Sequence, residues 1–460
     1  MNGQVVWGNS HKYLTNKAGP PEADQKSWSR QIKFIWVLGI MALLPSDMIK
    51  LPLNMNVMDC WILMGLPFFW LSFFREKQVI SLSYLVPIFL ILVGSLASTL
   101  VSPVPKNSMI VILKEIYLFI WFITLTSILS KIHTRDFRHI LVFWSGIVLL
   151  HGVVILLQFV SKDFFRFIVG LVGETNEYEI YRASGLFINP NKAAFFQLLG
   201  FVPVMLTRPS KKVGIILGFF LLLTIFATGS MGATLAFIVG LTITVTIISL
   251  IGHFDVILKI FVRSALIIAI IGGSLFFFVN QNEHYQNRLE QIIFGRAKKS
   301  SEGRFNIWNR ATGVFEDHGV ALWGIGPENF REVDWKEKQL HNDFLAFAVE
   351  RGLIALTGLV LFAIIAASRA VHLLLLYNKH PDPAGLVVVV FLAAISAAMV
   401  ESLTHQTFHF RELWMILAFQ EAILFHLKTS ESDVEPVTRP LNDPSRHDCG
   451  LVAQPDVPSG

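Results

Sequence analysis

The feature that most constrains this chain is a succession of unbroken apolar runs, of which Met231 to Ile251 and Leu258 to Val279 are the clearest. Each reaches the roughly 20 residues that an α-helix needs to cross a hydrocarbon core of about 30 Å. In lipid every backbone N–H and C=O must be bonded within the protein, so such runs imply helices rather than open strands. Further runs lie near 34–49, 57–74, 84–101, 109–129, 139–160, 190–206, 213–228, 342–367, 386–403 and 410–427. Together they predict an all-α, polytopic helical membrane protein with about 12 transmembrane helices. Hydrophobic residues are 53% of the chain and charged ones only 15%, which excludes a soluble globular class.

The net charge of +5 would suit a nucleic-acid partner. The basic residues gather instead in short loops between spans, where insertion topology accounts for them, so no nucleic acid is expected. The N-terminal segment carries Lys12, Lys17, Lys26, Arg30 and Lys33. Loops on the same side hold Arg75/Lys77, Lys131/Arg135/Arg138, Arg208/Lys211/Lys212, Lys259/Arg263 and Arg369/Lys379. The opposite short loops hold mostly single basic residues, Lys50, Lys106 and Arg411. This asymmetry puts both termini in the cytoplasm and two long segments, 161–189 and 280–341, on the outer face. The expected organisation is a cytoplasmic tail over 1–33, a transmembrane catalytic domain over 34–427, and a cytoplasmic tail over 428–460. That last segment, rich in Pro, Asp and Ser, is expected to be disordered. Residues 1–30 lack the order of a cleavable signal peptide. Cys60 and Cys449 suggest neither a disulfide nor a metal site.

The chemistry concentrates in the polar interval from Asn280 to Arg351, between the ninth and tenth spans. Its landmarks are Gly303-Arg304-x-x-x-Trp308, Gly324-Ile325-Gly326-Pro327 and His341-Asn342-Asp343-Phe344-Leu345. In the earlier outer segment, Asp163 to Val172 reads as an amphipathic helix on the membrane surface. Arg182-Ala-Ser-Gly185-Leu-Phe187-Ile-Asn189-Pro190-Asn191 follows, and Asn189 or Asn191 suits a helix cap. Arg182 can snorkel, pair with Glu174 or Glu179, or grip a phosphate.

Four spans separate Arg182 from Arg304, so both face the same side, and His341 shares the later interval with Arg304. A guanidinium presents a rigid fork of donors that matches phosphate and stays charged at any working pH. Two of them suit a lipid pyrophosphate, and a histidine with pKa near 6.5 suits removal of a proton from an attacking hydroxyl. His341 as a helix cap is the plainer alternative, but Asn342 and Asp343 beside it are better caps. Arg288, Arg310, Trp308 and Asn342 are secondary candidates for substrate contact, and Trp323 and Trp335 are interfacial or sugar-stacking tryptophans. Glu350 and Arg351 are expected to pair with each other or to mark the water boundary. Glu401, His405, His409 and Arg411 form a further outer cluster. His405 and His409 share a helical face, yet no third ligand accompanies them and no metal site is assigned.

Arg-x-x-Gly-x-Phe-x-Asn-Pro-Asn before a span, Gly-Arg-x-x-x-Trp in a long outer segment, Gly-x-Gly-Pro, and His-Asn-x-x-Leu entering the next span occur here in that order. In this order the chain resembles the O-antigen ligase and polymerase superfamily. The resemblance implies a C-type glycosyltransferase-like fold and a metal-independent enzyme without cofactors, in the bacterial inner membrane. Such enzymes move a glycan from an undecaprenyl-pyrophosphate donor to a hydroxyl acceptor at the periplasmic face. By position Arg182 and Arg304 match the family's pyrophosphate-contacting arginines and His341 its essential histidine. The implied partners are the lipid-linked donor, a lipid A-core or glycan acceptor, and membrane lipids. The ligase reading is placed ahead because one dominant late outer segment enters a span with His-Asn. A repeat-unit polymerase is the alternative, and a transporter or lipid flippase the more distant one.

Overall fold

Wherever the structure describes them, the apolar runs are helices. The computed structural model describes residues 23–45, 50–51, 55–73, 82–172, 182–250, 296–317, 322–333, 339–379 and 385–432. In chain order the helices are α1 (Ala23–Leu43), α2 (Val57–Phe73), α3 (Leu85–Leu100), α4 (Pro105–Lys131), α5 (Thr134–Val160), α6 (Lys162–Val172) and α7 (Pro190–Thr207). There follow α8 (Lys211–Ala227), α9 (Met231–Leu250), α10 (Arg296–Asp317), α11 (Phe330–Val333), α12 (Asp343–Lys379), α13 (Gly385–Ser402) and α14 (Arg411–Ser432). A two-residue antiparallel ladder, Lys50–Leu51 with Met55–Asn56, precedes α2 and adds no layer.

Among the described residues, Pro105–Lys131, Arg135–Val160 and Asp343–Leu375 are long and apolar enough to cross a membrane. The apolar parts of α2, α3, α8, α9 and α13 are shorter. The span expected at 258–279 lies outside the described residues. The bundle's outer surface is itself apolar, with Leu100 87% and Ile216 66% exposed, the inverse of a water-facing shell. Three expectations are corrected, one of them at the C-terminal end, where α14 runs to Ser432, inside the segment expected to be disordered. Helix α1 begins at Ala23, inside the expected tail, and stops at Leu43. The span read as one run over 342–367 is broken at Gly352, whose φ of 74° and ψ of 179° are not helical.

Inside, α12 lies along α3, α13 along α9, and α14 along α4, while α5, α8 and α13 enclose α7. Close approach of α12 to α3 depends on Gly94, where a Cβ would stand 2.6 Å from the Ala355 backbone nitrogen. At the centre, Trp414 packs against Phe119, Phe122, Phe362 and Phe408 with ring centroids 5.1 to 5.7 Å apart. Among the described residues several ion pairs join distant segments, and those of Asp59 and Glu115 are made by buried carboxylates. Asp59 accepts from Arg411 Nε (2.8 Å) and from the Tyr117 hydroxyl (2.9 Å). Glu115 pairs with Arg351 and lies 2.9 Å from His409 Nε2. Arg351 thus has Glu115 as its partner rather than the expected Glu350. Adjacent residues on a helix do not face each other, so buried Arg351 takes its carboxylate from a neighbouring helix.

Glu350 serves the polar interval. Its carboxylate accepts the backbone N–H of Glu328 (3.0 Å) and Phe330 (3.3 Å). Its carbonyl accepts Gly326 N–H at 2.7 Å, and the Val349 carbonyl accepts Ile325 N–H at 3.1 Å. The same loop is held from its far side by Asn329 Nδ2, which donates to Ser102 (2.6 Å) and Ser108 (2.7 Å). A Cβ at Gly352 would stand 2.1 Å from the Leu322 carbonyl oxygen. Replacement of Gly352 by alanine is therefore expected to destabilise the fold by about 1–3 kcal/mol from backbone conformation alone, with the clash added. Thermal unfolding of the detergent-solubilised variant checks this, and a midpoint equal to that of the unsubstituted protein would refute it.

Candidate active site

The polar interval is not a plain loop. From Arg296 to Asp317 it is a helix whose buried Ile307 and Ala311 pack with Ile325, Phe330, Leu340, Ala346 and Val349. This satellite core seats α10 on the start of α12 and on the Gly324–Asn329 loop. Arg304 and Trp308, four residues apart, share one side of α10. Trp308 Nε1 donates to the Leu340 carbonyl at 3.1 Å. On the other side of His341, the Asn342 side chain accepts Leu345 N–H at 3.0 Å and so caps α12. His341 is thus pinned by both chain neighbours, and its own backbone is left-handed, with φ of 50°. That conformation is uncommon for a residue with a Cβ and persists only where surroundings impose it.

His341 faces His405, their ring centroids 6.2 Å apart and the planes 77° from parallel. His405 Nε2 lies 3.3 Å from Arg304 Nη2, and its Nδ1 lies 2.6 Å from Glu401 Oε1. Burial lowers the pKa of half-buried Arg304 from its ordinary value, and the Glu401 carboxylate opposes that shift. The two ends of the polar interval, Arg304 and His341, therefore meet at one histidine from the segment between α13 and α14.

Arg182 approaches from another element. The chain around it turns back into the bundle, where the Gln158 side chain accepts N–H from Ser184 (2.9 Å) and Gly185 (2.8 Å). His151 Nε2 accepts Leu186 N–H at 3.1 Å. Arg182 is 8% exposed; its Nε donates to the Thr228 carbonyl (2.9 Å) and its Nη2 to Asn191 Oδ1 (2.5 Å). Asn189 accepts Asn191 N–H at 2.9 Å and caps α7, as its sequence position suggests. The expected alternatives for Arg182, Glu174 and Glu179, lie outside the described residues. Thr228 opens the turn into α9, and at Gly232 a Cβ would stand 2.9 Å from Glu401 Oε2 and 3.0 Å from the His405 ring. Arg182 and the Glu401–His405 pair thus hold the two ends of one short segment, residues 228–232.

The secondary candidates separate. Arg288 lies outside the described residues, and so does Trp335. Arg310 is half-buried on α10. Trp308 and Asn342 hold the backbone on either side of His341. His405 and His409 part ways, His405 toward Glu401 and Arg304 and His409 toward Glu115 and Arg351. Among the described residues no group of three or more His, Cys, Asp or Glu is placed to hold a metal ion. Sequence reasoning placed Glu401 and His405 on the outer face without attaching them to Arg304. The Glu-x-x-x-His spacing was the available signal.

Residues 216–360 match the family model described as O-antigen ligase. That stretch, under a third of the chain, is similar to an O-antigen ligase domain. That match supports the O-antigen ligase superfamily, and with it an enzyme of ligase or glycosyltransferase type in a bacterial membrane, with an O-antigen ligase-like role in polysaccharide biosynthesis and lipid-linked glycan and acceptor partners. A comparison with curated proteins finds no match. The matched stretch runs from within α8 through Arg304 and His341 past Gly352; Arg182, Glu401 and His405 lie outside it.

The Trp308 bond supplies a local test. Replacement of Trp308 by phenylalanine keeps most of the aromatic bulk and removes the N–H, the indole's only donor. Loss of that bond is expected to cost about 0.5–1.5 kcal/mol and to lower activity by loosening His341. Thermal unfolding and a transfer assay on the same preparation check it, and unchanged values in both would show that Trp308 does not position His341.

Proposed function

We propose that this protein transfers a glycan from an undecaprenyl-pyrophosphate donor to a hydroxyl acceptor at the periplasmic face of the bacterial inner membrane. The observation that carries this reading is the meeting of Arg304 and His341 at His405, from positions 37 residues apart in sequence. His341 takes the proton from the acceptor hydroxyl, a step typically worth about 10²–10⁴-fold. The acceptor oxygen then forms a bond to the anomeric carbon as the carbon–oxygen bond to pyrophosphate breaks, with inversion at that carbon. Arg182 and Arg304 hold the pyrophosphate and stabilise its charge as it leaves on the lipid; each charge-assisted bond contributes roughly 1.5–3 kcal/mol. The chemistry is metal-independent in this reading, because two guanidinium groups supply the positive charge. About twelve spans, both termini in the cytoplasm and outward-facing segments at 161–189 and 280–341 give the orientation that this reaction needs.

The acceptor is lipid A-core in this reading, with extension of a second lipid-linked glycan as the alternative within the superfamily. The surface polysaccharide of a deletion strain separates the two. Accumulated lipid-linked polymer identifies a ligase, and single repeat units identify a polymerase. For the site, His341→Ala is expected to abolish transfer while leaving membrane insertion intact. Arg304→Lys is expected to be damaging because an ammonium cannot reproduce a bidentate fork. Transfer by either variant at the unsubstituted rate would remove that residue from the mechanism.

Orientation has its own check. A reporter fused after Lys428 is expected to read as cytoplasmic and one inserted at Glu316 as periplasmic. The reverse pattern would put the proposed site on the wrong face for the donor.

A further inference from the structure

We infer that Glu401 and His405 form a positioning relay that sets the orientation of the Arg304 guanidinium, and that this relay is required for Arg304 to bind a pyrophosphate. The inference deepens the reading of Arg304 given above and rests on it. Arginine has no acceptor, so at the 3.3 Å contact His405 Nε2 must accept from Arg304 Nη2. That fixes the proton of the neutral ring on Nδ1, facing Glu401 Oε1 at 2.6 Å. Thr404 Oγ1, 3.2 Å from the same Nδ1, shares that proton and in turn donates to the Glu401 carbonyl at 3.1 Å. The order is therefore donor arginine, histidine as acceptor and donor, and carboxylate, the arrangement by which a carboxylate fixes a histidine's tautomer and ring orientation in metal sites. Here the group at the end of the relay is a guanidinium.

The burial supports this order. Glu401 is 1% and His405 4% exposed. Neither carboxylate oxygen of Glu401 has a well-aligned hydrogen-bond donor among the described residues, His405 Nδ1 included at its 2.6 Å contact. A buried carboxylate so poorly supplied with donors is costly unless a cation compensates it, and Arg304 lies within its electrostatic reach. Gly232 packs directly against the carboxylate and the ring, so the relay also abuts the segment whose other end is bound by Arg182. His405 is a positioning residue in this account. It holds Arg304 with one nitrogen and leaves the remaining guanidinium N–H groups for the ligand.

The test uses full-length protein in lipid nanodiscs and farnesyl pyrophosphate as the probe, with affinity read by calorimetry. His405→Phe keeps a ring and loses the acceptor; affinity is expected to fall about tenfold, the loss of one hydrogen bond to a charged group. His405→Gln restores an acceptor at similar reach and is expected to recover affinity to within about threefold. Glu401→Gln keeps shape and removes charge, with an expected loss of about fivefold, and carries the test if the His405→Phe protein does not fold. In transfer assays the His405→Phe loss is expected in KM for the donor, with kcat held to within about threefold. If Arg304→Ala weakens the probe while His405→Phe and Glu401→Gln bind as the unsubstituted protein does, the relay is overturned and the role of Arg304 stands. If Arg304→Ala itself leaves binding unchanged, the role of Arg304 falls and the relay with it. A kcat loss in His405→Phe as deep as that in His341→Ala would make His405 a reacting group and overturn the positioning role.

Discussion

A helix that stops inside a bundle leaves its last carbonyls without partners, and in a membrane protein no water is at hand to replace them. This happens in α12 at Gly352, and much else follows from how the orphaned groups are satisfied. The Val349 and Glu350 carbonyls take the N–H groups of Ile325 and Gly326 at 3.1 and 2.7 Å. The Glu350 carboxylate takes two further N–H groups of the same loop. A break in one helix thereby becomes the docking site for a polar segment, and the segment's own backbone needs are met by the helix it docks on. Each side would be unstable alone for the same reason, a buried peptide group without a bond.

Arg351, the residue before the break, ties this joint to the rest of the bundle. It binds Glu115 on α4 and Ser95 on α3, and its guanidinium lies 4.2 Å from the centroid of the Phe347 ring. His409 joins through Glu115, so the stretch between α13 and α14 is fixed from the same point. A second carboxylate fixes that stretch independently. Asp343 Oδ2 accepts Thr407 N–H (2.8 Å), the Thr407 hydroxyl (3.0 Å) and Phe408 N–H (3.1 Å). Because Asp343 is two residues after His341, the bonds that place residues 407 and 408 also set where His405 stands relative to His341. The first turn of α12 is thus the common reference for the proposed base and for the histidine that meets Arg304.

How legible this was in the sequence varied with the kind of interaction. The helices were legible because lipid leaves a chain few choices, and every described apolar run is helical. The caps at Asn189 and Asn342 were legible because capping depends on residues a few positions apart. The gathering of Arg304 and His341 was suggested by their shared face, though spacing alone gave no distance. The break at Gly352 was not legible. An apolar run with a glycine in it reads as continuous helix, and only the clash that a Cβ would meet at the Leu322 carbonyl reveals why glycine is needed.

His405 shows most clearly why the remainder was hidden. Its spacing from His409 suggests one helical face, and a helix continuing past Ser402 would have presented the two rings together. The chain instead leaves the helix to wrap the Asp343 carboxylate, and the two rings turn to different carboxylates, Glu401 and Glu115. The cause lies some sixty residues away in sequence, in an aspartate that local pattern reads only as a good first-turn residue. Periodicity reports what a segment does when its own hydrogen bonds decide. A buried carboxylate supplied by another helix can accept three bonds at once and outweigh that local preference, so positions whose geometry it sets become legible only when the fold is known.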